Sequence, residues 1–121
     1  MRTLDELLQQ VGSVADFAGI EVRSPNTKGN FATYPLHVAA VWGDCEAIRI
    51  LVEAGALIDQ TGEHGFTPLM EAVAQGNEAV VDLLISLGAE PIANEAGNLP
   101  SAYAEIAGNT ELASRLRAQG Y

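Results

Sequence analysis

The chain of 121 residues has one cysteine, Cys45, so no disulfide can form within it, and a reducing cytoplasm is the simplest compartment. It is short of basic residues: six Lys and Arg stand against sixteen Asp and Glu, for a net charge of −10. A field of that sign repels phosphate, which argues against nucleic acid and anionic membrane as partners. No apolar run approaches the roughly 18 residues of a membrane-spanning helix. The start, Met1-Arg2-Thr3-Leu4-Asp5-Glu6, carries two acids where a secretory signal would be basic and then apolar, so none is expected. Disorder is excluded by an apolar fraction of 48%, and a chain of this length suits one domain with its own core.

The charge is unevenly spread. From Asn30 to Thr110 there are eleven acids and one base, Arg49, so this segment alone carries −10. The two ends balance, with Asp16 among the five acids offset there. Such a field would attract a basic protein surface and speed its encounter, or it would serve solubility only.

An internal repeat organises the rest. Tyr34-Pro35-Leu36-His37-Val38-Ala39-Ala40-Val41-Trp42-Gly43 matches Thr67-Pro68-Leu69-Met70-Glu71-Ala72-Val73-Ala74-Gln75-Gly76 at a spacing of 33. The register continues from Ile48–Ala56 to Val81–Ala89, and a third copy follows at a spacing of 32, from Pro68 to Pro100, Gly76 to Gly108 and Leu84 to Leu116. Each copy reads as two short helices. A proline opens the first, where its missing N–H costs nothing. Gly43, Gly76 and Gly108 end it, and Gly55, Gly88 and Gly120 end the second. Gly62 and Gly65 give the connecting stretch the chemistry of a projecting hairpin.

These features resemble the ankyrin repeat: the 33-residue period, Thr67-Pro68-Leu69, paired small residues, a glycine between the helices and Gly-Ala at the end. The resemblance covers residues 30–120 and implies an all-α repeat solenoid with inner helices and hairpin tips forming a concave binding face. The register then gives one domain over 1–121: a degenerate N-terminal capping repeat and long first hairpin over 1–29, repeats over 30–62 and 63–94, and a C-terminal capping repeat over 95–121. Departures from the family pattern are Tyr34 and Leu99 in place of the Thr before Pro, which removes a side-chain helix cap at both. Met70 and Ala102 stand where the first copy has the family's His, His37, and Glu105 suits a terminal repeat facing water.

In the N-terminal segment Thr3 and Glu6 fit a capping box, and Leu4, Leu7, Leu8 and Val11 share one helical face. Val14, Ala15 and Phe17 indicate a second, shorter helix. The polar Ser24–Asn30 tip is expected to be disordered, its alternative being a partner contact.

Catalytic constellations are missing. No zinc-type His or Cys spacing, Gly-rich phosphate loop or Gly-x-Ser-x-Gly elbow occurs. His37 is expected at the repeat interface, satisfying backbone groups, and Cys45 is expected to be inert at the start of an outer helix. The expectation is a non-enzyme with no cofactor and no metal.

The resemblance also implies where a partner would sit. The inner helices point Val38, Val41 and Trp42, then Glu71, Ala74 and Gln75, then Tyr103, Ile106 and Ala107 towards the groove. Hairpin tips add Glu63, His64 and Phe66, then Asn94, Glu95 and Asn98. Trp42 has an alternative place folded over the N-terminal cap, and Tyr103 one inside its own repeat. The function expected is binding of a protein, with a basic surface, by a monomer. Small acidic domains of this kind resemble bacterial immunity proteins and antitoxins, some of them built from ankyrin repeats. The alternative is a scaffold subunit that homodimerises through Val38, Val41 and Trp42.

Overall fold

The computed structural model describes residues 2–121, and among them there is no strand. Seven helices form: α1 (Leu4–Gly12), α2 (Pro35–Trp42), α3 (Cys45–Glu53), α4 (Pro68–Gln75), α5 (Glu78–Ser86), α6 (Pro100–Ile106) and α7 (Thr110–Ala118). Local chemistry sets their starts. Proline opens α2, α4 and α6 at the position where no intrahelical N–H bond is lost. The outer helices α3, α5 and α7 each begin after a short polar side chain that accepts the first free amide: Asp44 from Ala47 at 3.0 Å, Asn77 from Val80 at 3.1 Å and Asn109 from Leu112 at 3.1 Å. Asp44 is thus the N-cap of α3. Between α2 and α3 the chain reverses at Gly43 with φ +71, and a Cβ there would lie 2.5 Å from the Asn77 amide.

The helices pair within each copy, α2 with α3, α4 with α5 and α6 with α7. Inner helices then stack α2 on α4 and α4 on α6, while α3 meets α5 outside. Small Ala39, Ala40 and Ala72 lie fully buried at the inner seams, with Leu36, Ile48, Leu51, Leu69, Leu84, Leu112 and Leu116 filling one continuous core. The solenoid expected from the repeat is the fold found.

The N-terminus docks on the first repeat. The Thr3 capping box is formed in both directions, Thr3 Oγ1 accepting from the Glu6 amide and Glu6 Oε1 from the Thr3 amide. Leu7, Leu8 and Val11 bury against α2 and α3, and Phe17 is 1% exposed. Val14–Phe17 forms a single 3-10 turn (Ala15–Phe17) rather than an α-helix. Arg2 ties this segment to α3, donating from Nε to Glu46 at 2.9 Å and pairing with Asp44.

The expectation of disorder at residues 24–30 is corrected. The Asn26 amide donates to the Gly55 carbonyl at 3.0 Å while its Oδ1 accepts from the Leu57 amide at 2.9 Å. Thr27 Oγ1 accepts from the Arg23 and Ser24 amides, and Asn30 donates to the Ala18 carbonyl at 3.1 Å. One repeat later, Asp59 accepts from the Glu90 amide at 3.1 Å in the register of Asn26 and Leu57. The extra length is thus fastened to the next hairpin by the same staple the repeats use.

A candidate protein-binding groove

The hairpin tips turn sharply. In the first, the Gly29 amide donates to the Thr33 carbonyl at 2.6 Å; in the second, Gly62 donates to Phe66 at 2.7 Å. Phe31 and His64, one repeat apart, both take φ near +60, a strained region for a side-chain-bearing residue. The tips also touch one another: the Glu95 amide donates to the His64 carbonyl at 3.0 Å, beside Gly65 with φ +72.

His37 holds the second hairpin onto α2. It is 4% exposed; its Nδ1 accepts from the Tyr34 amide at 3.2 Å and its Nε2 donates to the Phe66 carbonyl at 2.8 Å. Burial lowers the imidazole pKa below its ordinary value, and the Phe66 carbonyl opposes this only in part. His37 is a structural bridge; its Nδ1 holds the Tyr34 amide, whereas the threonine cap at Thr67 serves a different group, its Oγ1 accepting from the Met70 amide at 3.2 Å. Cys45 sits half-buried in the first turn of α3.

Between α2, the second hairpin and the turn after α1 lies a cavity of about 300 Å³. It brings together Val38, Val41 and Trp42 from α2, Glu63, His64 and Phe66 from the hairpin, and Glu71 from α4, seven of the sequence-predicted residues. Its remaining wall is Val14, Asp16, Thr33, His37 and Gly62. Val41 and Trp42 stay 44% and 43% exposed, whereas Val38 is buried. Glu71 is half-buried; burial raises its carboxyl pKa above the usual range, and the charges of Asp16 and Glu63 raise it further. Glu63 lies 3.2 Å from His64 Nε2.

Other expected residues fall outside the cavity. Tyr103 packs edge-on against Phe66, ring centroids 5.1 Å apart at 80°, and so bridges to the neighbouring repeat rather than folding inside its own. Gln75 and Glu95 are exposed, and Asn98 is half-buried. Asn94 is a correction: it is only 9% exposed, its Oδ1 accepting from the Asn98 amide at 3.1 Å to close its own turn. Asp16 and Phe31 were missed. Asp16 lies in the degenerate N-terminal copy, whose register with the later copies is weak, and gave no periodic signal. Phe31, 69% exposed, is the register equivalent of His64 and was legible by that route.

Residues 3–95 match the family described as ankyrin repeats, three copies. The chain belongs to the ankyrin-repeat family. The match begins in the N-terminal segment and stops before α6, although α6 and α7 continue the helix-pair stack. Among curated proteins the chain is similar to protein phosphatase 1 regulatory subunit 27 of Mus musculus, 38% identical over 95 residues, 78% of this chain and 60% of that protein. It is also similar to Rabankyrin-5 of Mus musculus, 30% identical over 94 residues, 70% of this chain and 8% of that protein. Ankyrin repeat family A protein 2 of Homo sapiens is 41% identical over 56 residues, 46% of this chain and 18% of that protein. The chain thus spans 60% of the phosphatase regulatory subunit's length and far less of the others.

Within this ankyrin stack, no three His, Cys, Asp or Glu among the described residues converge closely enough to hold a metal ion, and no described helix is long and apolar enough to cross a membrane.

Proposed function

We propose that this ankyrin stack is a non-catalytic module that holds another protein on the face built by α2, α4 and the hairpin tips. The observation that carries the reading is the pair Val41 and Trp42, 44% and 43% exposed at the end of an otherwise buried helix and beside a cavity. The equivalent residues in the next copy are Ala74 and Gln75, so stacking does not require a large apolar group here. Exposed aromatics next to a concavity are typical anchors of interfaces. The carboxylates Asp16, Glu63 and Glu71 favour a partner with a basic surface. Neutralisation of a basic toxic effector, as by an antitoxin, is one form of this reading; co-expression with such an effector from the same organism should then restore growth.

The test is Trp42→Ala, read against a protein captured from the source organism on the immobilised chain. Affinity should fall by about 2 kcal/mol or more, as for an aromatic hot spot. Folding should lose only about 1 kcal/mol, because two-fifths of the side chain already stays in water. Unchanged affinity would remove the groove assignment. Light scattering on the free chain should find a monomer; a dimer broken by Trp42→Ala would favour a homodimeric scaffold instead.

A further inference from the structure

We propose that the cavity beside Trp42 receives the cationic head of a lysine or arginine side chain presented by the bound protein. This rests on the groove reading and adds what the groove selects.

The cavity has two chemistries. Val41, Trp42 and Phe66 give it apolar walls, and Asp16, Glu63 and Glu71 converge on it from three separate elements. A long side chain with an apolar stem and a charged tip matches both at once. An aromatic face also attracts a cation directly, most strongly for Trp. At about 300 Å³ the space lies at the small end of ligand sites, the scale of one side chain rather than a cofactor.

Among the described residues no lysine or arginine pairs with these carboxylates. The paired arginines serve elsewhere: Arg2 with Asp44 and Glu46, Arg23 with Glu21, Arg115 with Glu78 and Asp82, and Arg117 with Glu105. Asp16 accepts only the Thr33 hydroxyl, at 3.0 Å, and Glu63 has only the exposed His64. His37 cannot serve as a counter-ion, because both its nitrogens are engaged in the neutral form. Glu71 carries the cost: half-buried, near two like charges, it holds its proton more tightly than a free carboxyl. An entering ammonium or guanidinium relieves that repulsion. A neutral apolar side chain would bury the carboxylates further without compensation.

The experiment uses the whole chain and four peptides, acetyl-Gly-Gly-X-Gly-Gly-amide with X as lysine, arginine, norleucine or Nε-acetyl-lysine, at about 0.15 M salt to screen the general acidity. Trp42 is the sole tryptophan, so its indole N–H resonance and fluorescence report on the cavity alone. The lysine or arginine peptide should shift them saturably, with Kd of about 1–10 mM, and at least about tenfold tighter than norleucine or acetyl-lysine. Comparison of the first two tells ammonium from guanidinium. Glu71→Gln should weaken the cationic peptide about threefold or more, while Glu53→Gln, exposed on α3, should not. Equal binding of norleucine, equal loss from Glu53→Gln, or no saturable shift with any peptide would overturn the proposal. If the captured protein still needs Trp42 in those cases, the groove stands and only its cation selectivity falls.

Discussion

His37→Met isolates one structural link. Met70 occupies the equivalent place one repeat later and is fully buried, so the stack accommodates methionine there without a cavity. The substitution therefore removes hydrogen bonds and little else. Two are lost, to the Tyr34 amide and the Phe66 carbonyl, each contributing about 0.5–1.5 kcal/mol net. Both backbone groups belong to half-buried residues, so water can reach them in part, and the expected cost is about 1–3 kcal/mol. Urea melts of both proteins across pH supply a second readout. The folded-state pKa of His37 is lowered, so the unfolded chain binds the proton more readily. The contribution of neutral His37 is full above about pH 6.5 and fades as pH falls from there towards the folded value. The gap between wild type and His37→Met should therefore narrow on acidification from pH 7.5. Adding Tyr34→Thr to His37→Met, which restores the cap used at Thr67, should recover about 1 kcal/mol. Equal stability of His37→Met and wild type, or a gap independent of pH, would refute the bridge.

Gly65→Ala should cost about 2 kcal/mol or more in a denaturant melt, because φ is +72 and a Cβ would stand 2.8 Å from the Glu95 backbone nitrogen. Asn26→Ala should cost about 1–2 kcal/mol and speed hydrogen exchange at the Leu57 amide, whose acceptor it removes. Glu71→Gln should stabilise the protein at pH 7: the folded carboxyl pKa is raised, so ionised Glu71 works against folding, and the advantage should vanish once the pH is below the free-carboxyl value.

Much of this molecule was legible because its information is local and repeated. Thr3 with Glu6, the prolines opening α2, α4 and α6, and the glycines at the reversals act over three or four residues, and such signals survive in any context. The register carried further. Once residues 33 apart are equivalent, the interface between one pair of copies stands for the next, and the ankyrin resemblance set His37 at that interface. The same register held unused information: Phe31 matches His64, and Asn26 matches Asp59. Composition misled at residues 24–30, where polar residues that look unstructured are spent on backbone bonds to the Gly55–Leu57 turn.

By itself, then, the sequence determined the helices, their caps and the order in which copies stack, since each depends on near neighbours or on a period. Tertiary structure decided the groove. Asp16 counted as one of the balanced charges of the N-terminal end, yet docking of α1 and its turn sets it against Glu63 and Glu71, which come from two other elements of the chain. No periodicity relates these three positions. Their meeting follows from how the degenerate N-terminal copy covers the first full repeat, and that is a matter of shape complementarity between Leu7, Leu8, Val11 and Phe17 and the surface of α2 and α3. Asn94 illustrates the converse: its register assigned it to the tip, but the preference of an asparagine side chain for its own turn's backbone drew it inward.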